Sequence, residues 1–145
     1  MKIRLMTEAD LIAVAEIEKL IFSIPWSVQA FKDSLYNDNT IYFVATEDDV
    51  VIGYCGMYIS FEEGNITNVA VDSACRRKGV AQKLLNKLIT MATQKGVNNI
   101  FLEVRETNVA AIKLYEHLGF REAGIRRNFY EKPTENAIIM WKNNQ

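Results

Sequence analysis

Apolar and polar positions alternate with period two through "KIRLM", which marks a first strand, and Thr7 then caps a helix running to about Leu20. Leu11, Val14, Ile17 and Ile21 form that helix's buried stripe. Pro25 disfavours helix at Ile24, and Ser27 caps a second helix through "VQAFKDSLY". Three strands follow, "TIYFVAT", "VVIGYCGMYI" and "GNITNVAVD", joined by the acidic turn "EDD" and by "SFEEG", the order of an antiparallel meander. From Val80 the period becomes helical, with Ala81, Leu84, Leu85, Leu88 and Ala92 on one face and Gly96 where a C-cap belongs. "NNIFLEV" reads as a strand, "NVAAIKLYEHL" as a helix ended by Gly119, and "FREAGIRRNFY" and "NAIIMWK" as closing strands around the loop "EKPTE". The order βααβββαβαββ predicts an α/β (α+β) fold: a mixed, mostly antiparallel sheet of seven strands with four helices packed on both faces.

Composition narrows what such a fold does. With 145 residues, 49% hydrophobic and 24% charged, the chain suits one domain spanning residues 1–145. A net charge of -1 argues against a protein that coats nucleic acid or a membrane surface, so any basic site is local. "MKIRLMTEADL" lacks the apolar core of a signal peptide, and no run approaches the ~18 apolar residues of a membrane span; a cytoplasmic, monomeric protein is expected. Cys55 and Cys75 sit in no CxxC and the only histidine is His117, so neither a disulfide nor a metal site is expected. The acidic stretches "EDD" and "EE" read as solvated turns, with attraction of a basic peptide as the lesser alternative.

The densest chemical signal lies in "VDSACRRKGVAQKLLNKL", where a strand passes into a helix through Arg76, Arg77, Lys78 and Gly79. The first turn of a helix exposes unpaired N–H groups and the positive end of its dipole, and a glycine lets a ligand reach the main chain. A phosphorylated ligand suits that junction; a solvated basic turn is the alternative. GxxxxGK[ST] and GxGxxG are both absent. The spacing Arg76-x-x-Gly79-x-Ala81 after "NVAVD" resembles the Q/R-x-x-G-x-G/A signature of the GNAT acetyltransferase family. "LEVRETNVAAIKLYEHLGF" and "IRRNFY" are similar to the RimI-type ribosomal-protein alanine N-acetyltransferases within it. The likeness spans nearly the whole chain and departs from the commoner pattern at Val80 and Ala81, where a second glycine is usual.

That resemblance implies acetyl-CoA as cosubstrate and no metal. The backbones of Val69, Ala70 and Val71 would bind the pantetheine arm, and Arg77, Lys78, Gly79, Val80, Ala81 and Gln82 would surround the pyrophosphate. Asn108, otherwise a plain N-cap, would also contact the arm. Glu103 would be general base and Tyr115 general acid. Read from the residues alone, Glu103 is a costly carboxylate in an apolar strand or an edge residue paired with Arg105 or Arg121, while Tyr115 has the spacing of a core aromatic. His117 falls on another helix face from Tyr115 and reads as a surface residue, and Cys75 has no histidine nearby to serve it as an acetyl carrier. Trp26 and Tyr130 would flank the acceptor entrance, or anchor their loops to the core.

The acceptor implied by the resemblance is the N-terminal alanine of the eighteenth small-subunit ribosomal protein. Amine chemistry favours the same class: at pH 7 about a tenth to a fifth of an α-amino group is neutral, against about one in a few thousand for lysine. A small-molecule amine or a lysine side chain is the second reading, and a coenzyme A sensor without turnover the third. Both Glu103 and Tyr115 being present argues against the sensor.

Overall fold

The computed structural model describes residues 1–144. Its elements, in chain order, are β1 (Lys2–Leu5), α1 (Leu11–Ile21), α2 (Val28–Leu35), β2 (Thr40–Glu47), β3 (Val50–Ser60), β4 (Glu63–Val71), α3 (Val80–Gln94), β5 (Asn99–Arg105), α4 (Val109–His117), β6 (Arg121–Tyr130) and β7 (Glu135–Asn143), with short 3₁₀ turns at Glu8–Asp10 and Ser73–Cys75. The seven strands form one sheet in the order β1-β2-β3-β4-β5-β7-β6. Every neighbouring pair is antiparallel except β4 and β5. The expected mixed, mostly antiparallel sheet with four helices is therefore what forms. No helix among the described residues is long and apolar enough to cross a membrane.

Two cores follow from the strand period. On one face Ile41, Phe43 and Ala45 of β2 and Cys55 and Met57 of β3 pack with Leu84, Leu85 and Leu88 of α3 and Tyr115 of α4. On the other, Tyr42, Val44 and Tyr54 meet Leu11, Val14 and Ile17 of α1 and Phe31 of α2. Because side chains of successive strand residues point to opposite faces, β2 and β3 are buried on both, which explains why they read as unbroken apolar runs. Gly56 is required by close approach: a Cβ there would lie 2.0 Å from the Tyr42 ring.

The beginning of α1 differs from expectation. Thr7 caps the 3₁₀ turn Glu8–Asp10 and not α1 itself, in a reciprocal arrangement with Asp10. Asp10 Oδ2 accepts from the Thr7 amide at 2.8 Å and from its hydroxyl at 3.2 Å, and the Asp10 amide donates back to the Thr7 carbonyl at 3.0 Å. Asp10 is buried and takes a two-pronged pair from Arg4 at 2.7 and 2.8 Å; that guanidinium, foremost, holds its carboxyl below the usual range despite burial. The other caps follow the sequence. Ser27 Oγ accepts from Ala30 N at 3.1 Å, and the chain leaves α3 through Gly96 with the Val97 amide donating to the Ala92 carbonyl. Two turns are tighter than expected: Asp48 and Asp49, both at positive φ, make a two-residue hairpin, and Phe61–Glu62 alone joins β3 to β4.

Candidate active site

The site begins where two parallel strands part. β4 pairs with β5 only at Glu63, Gly64 and Asn65, opposite Asn99, Ile100 and Phe101. Just beyond, Gly56 of β3 faces Asn68 and Met57 faces Ile66, so Thr67 is an extra residue, a β-bulge that turns β4 aside. The bulge is held from behind: Asn68 is buried and its Oδ1 accepts from Tyr42 Oη at 3.1 Å, while Tyr42 Oη in turn accepts from Ser34 Oγ at 2.9 Å. From Ile66 to Val71, β4 thus carries an edge not paired to β5, and such an edge can accept an extended ligand as an added strand.

A cavity of about 630 Å³ opens in that gap. Ile66–Val69 and Leu102–Arg105 form its two strand walls, Asn108 and Tyr115 come from the start and end of α4, and the segments 21–26 and 129–133 form its mouth. Leu102 and Val104 lie in the core beneath α3 and α4, so by strand alternation Glu103 points to the opposite face from Tyr115. The parted strands let both reach one cavity. A second hollow of about 290 Å³ lies farther along the same elements, between Val71, Arg76, Arg77 and Gly79–Gln82 on one side and Ala110 and Leu114 of α4 on the other.

That second hollow has the chemistry of an anion cradle. The N-cap of α3 is Gly79, which offers no side chain to the free N–H groups, and the first turn carries no acidic residue. Arg77 and Gly79 both have positive φ (67° and 75°), and a Cβ on Gly79 would meet no atom within 4 Å, so the space above the amides is open. Arg76 and Arg77 line it; Lys78 is exposed and lines neither cavity. Val69 faces the first cavity and Val71 the second, whereas the Ala70 side chain packs into the core beneath α1 and α2, leaving only its backbone for a ligand. The second hollow is thus lined by cations with no carboxyl, whereas Glu18, Glu103 and Glu131 line the first beside Arg105 and Lys132.

In that first cavity, Glu103 is one-third exposed and its Oε1 lies 3.4 Å from Arg126 Nε. The alternative reading, an edge glutamate paired with Arg105 or Arg121, names the wrong arginines; Arg105 is taken elsewhere, binding Glu135 at 3.1 Å and the carbonyls of Glu131 and Pro133 and stacking on Tyr130 at 4.4 Å. Thr107 completes this clasp, its hydroxyl and amide donating to Glu135 and, foremost, holding that carboxyl below its usual range. Tyr115 is 8% exposed and its ring meets Phe120 edge-on. It is therefore both the core aromatic its spacing suggests and a cavity wall. Burial, helped by nearby Tyr130, pushes its phenol up to about 12, above the ordinary value near 10. Asn108 Oδ1 caps α4 by accepting from Ala111 N at 3.3 Å, which leaves its amide N–H groups for the cavity. His117 is exposed, away from the cavity.

Sequence reasoning missed Glu18. This residue of α1 is buried in the cavity wall, with Oε2 accepting from Trp26 N at 2.9 Å and Oε1 from Tyr54 Oη at 2.5 Å. Its signal was present: Leu11, Val14, Glu18 and Ile21 keep a 3-4-3 spacing, placing a carboxyl on the buried stripe. Trp26 and Tyr130 do stand at the mouth, on segments joined by a Ser23 Oγ contact to the Glu131 carbonyl at 3.3 Å.

Residues 11–120 match the Acetyltransferase (GNAT) family. The chain belongs to the GNAT acetyltransferase family. Among its relatives, it is 38% identical over 142 residues to the ribosomal protein bS18-alanine N-acetyltransferase of Salmonella typhimurium, covering 95% of this chain and 94% of that one. Among solved structures, the ribosomal-protein-S18-alanine N-acetyltransferase from Escherichia coli superposes with a TM-score of 0.92 at 35% identity, over 99% of this chain and 94% of the other. An aminoglycoside 6'-N-acetyltransferase complexed with coenzyme A shares the GNAT fold at 16% identity, with a TM-score of 0.86 over 100% and 98% of the two chains.

Proposed function

We propose that this GNAT protein transfers an acetyl group from acetyl-CoA to the N-terminal α-amino group of a protein, and that its acceptor is the N-terminal alanine of ribosomal protein bS18. The observation that carries the reading is the similarity to bS18-alanine N-acetyltransferases over nearly the full length of both chains. The cleft supports it, with an anion cradle at one end and a carboxyl-lined cavity at the other.

Acetyl-CoA supplies the acetyl group as a thioester. The amides of Gly79–Gln82, with Arg76 and Arg77, suit its pyrophosphate, and the unpaired edge of β4 from Val69 to Val71 suits its pantetheine arm. An N–H of that edge polarises the thioester carbonyl. Trp26 and Tyr130 frame the acceptor's entry. Glu103, directly or through one water, takes the proton that turns the α-ammonium into a neutral nucleophile, and the proton the amine sheds on attack ends on the departing sulfur as coenzyme A thiol. Tyr115, with its phenol up near 12, stays protonated at neutral pH. Because that lies above a reference thiol near 8.5, hydrogen bonding to the departing sulfur is the larger part of what the phenol supplies. Positioning contributes most, since holding two reactants in register is worth ~7 to 11 kcal/mol, whereas acid-base help is typically ~10² to 10⁴-fold.

Tyr115→Phe is expected to slow turnover roughly tenfold or more while leaving the melting temperature nearly unchanged, because the hydroxyl makes no hydrogen bond to the described residues. Steady-state kinetics beside a thermal melt checks this; wild-type turnover would leave Tyr115 a packing residue only. The acceptor class is tested by mass spectrometry of products from a panel of peptides with free N-termini, lysine peptides with blocked N-termini, and small amines. Acetylation of the alanine-starting peptide is the expected result, and reaction confined to small amines would overturn the ribosomal assignment.

A further inference from the structure

The mechanism above leaves a buried carboxyl in the cavity unused. Glu18 is 3% exposed, and a carboxyl that deep is costly unless something pairs with it. Among the described residues no lysine or arginine does; its partners are the Tyr54 hydroxyl and the Trp26 amide, one on each oxygen. A carboxylate has about four acceptor positions, so about two are spare. Those two contacts do not require a charge. A glutamine would keep the Trp26 contact through its one oxygen, but its N–H would face a Tyr54 hydroxyl whose own hydrogen had lost its acceptor. The fold's needs therefore explain two acceptor oxygens at this position, and leave the spare acceptor positions facing the cavity without a partner among the described residues.

We propose that Glu18 is the docking group for the acceptor's α-ammonium, a specificity residue that receives the charged amine in the cavity it shares with Glu103. The proposal rests on the N-terminal amine reading given above. At pH 7 about four-fifths or more of an α-amino group is the ammonium, so the acceptor arrives with one positive charge and three N–H donors. Glu18, unpaired by any cation and built into the cavity wall, offers that ammonium a buried counter-charge on oxygens already oriented by Tyr54 and Trp26. Glu103 differs in both respects: it is one-third exposed and already near Arg126. The two carboxyls thus divide the work, Glu18 binding the charged amine and Glu103 taking its proton. The Trp26 contact ties the same carboxyl to the loop at the mouth, so the group that holds the amine also holds that loop.

The test compares binding of an alanine-starting peptide with its desamino counterpart, which has a propionyl group in place of alanyl, to protein saturated with coenzyme A. Calorimetry on the wild type is expected to favour the ammonium peptide by about ten- to a hundredfold, the size of a charge-assisted hydrogen bond. Glu103→Gln should keep most of that preference. Glu18→Gln should lose it, with coenzyme A affinity unchanged and acceptor KM raised far more than kcat is lowered, while the melting temperature falls by a few degrees because the Tyr54 hydroxyl loses its acceptor. Retention of the preference in Glu18→Gln, or equal affinity for the two peptides in the wild type, overturns the proposal. Should Glu18→Gln not fold, persistence of the preference in Glu103→Gln assigns it to the remaining buried carboxyl, and its loss there counts against Glu18. A wild type that acetylates no peptide N-terminus removes the acceptor class and this inference with it; peptide acetylation with an unchanged preference in Glu18→Gln sinks this inference alone.

Discussion

Replacing Glu103 by glutamine is expected to lower kcat by at least ~100-fold at neutral pH, the lower end of what a positioned general base supplies. The side chain keeps its shape, and among the described residues only the 3.4 Å ion pair with Arg126 loses its charge. With one-third of the side chain exposed, the fold loses little. Acetyl-CoA affinity should hold, since the anion cradle of Arg76, Arg77 and Gly79 is a separate hollow at the other end of the cleft. The deficit should depend on pH in a definite direction. An α-amine titrates near 7.7 to 8.0, so above pH 8 more of it arrives already neutral and part of the need for a base disappears. The ratio of wild-type to variant kcat/KM is therefore expected to narrow as pH rises from 7 to 9, measured by thiol release at saturating acetyl-CoA. Equal turnover of the two proteins across that range would take Glu103 out of the mechanism.

The second large effect is expected at Gly79. Its φ of 75° lies in the left-handed region, where a residue with a Cβ costs roughly 1 to 2 kcal/mol and a β-branched one more. Gly79→Val adds a side chain that touches no protein atom near its Cβ, so its damage to the fold is that backbone strain, a few degrees in melting temperature. The branched group enters the open space above the α3 amides. We expect the acetyl-CoA Kd to rise by about tenfold or more, with kcat at saturation changed far less. Calorimetric affinity equal to wild type would remove the amides of Gly79–Gln82 from phosphate binding.

Much of this architecture was legible in the residues. The change from period two to period 3.6 at Val80 marks the passage from β4 to α3, and the caps at Ser27, Asn108 and Gly96 each declare a helix end. What local pattern does not carry is sheet order. β7 inserts between β5 and β6, a choice made by long-range pairing such as Leu102 with Met140. The cavity depends on a single extra residue, Thr67, and on the parting of β4 from β5 after Asn65; nothing in "GNITNVAVD" announces either, because a bulge is set by the partner strand and the Tyr42–Asn68 contact behind it. The partner of Glu103 eluded the sequence for the same reason. Arg105 is nearer along the chain but is drawn into the clasp with Glu135, leaving Arg126 of β6 to approach. Glu18 was legible in principle, since a carboxyl at the 3-4-3 spacing of a buried helical stripe is an anomaly that asks for a partner.

One cleft is expected to hold a diphosphate at the opening of α3 and a reacting thioester beside Glu103. A crystal structure with bound coenzyme A measures this directly. We expect the pyrophosphate oxygens within hydrogen-bonding distance of main-chain amides between Gly79 and Gln82, the pantetheine arm along Val69–Val71, and the sulfur in the cavity shared by Glu103 and Tyr115. A nucleotide bound away from α3, or a sulfur outside that cavity, would contradict it.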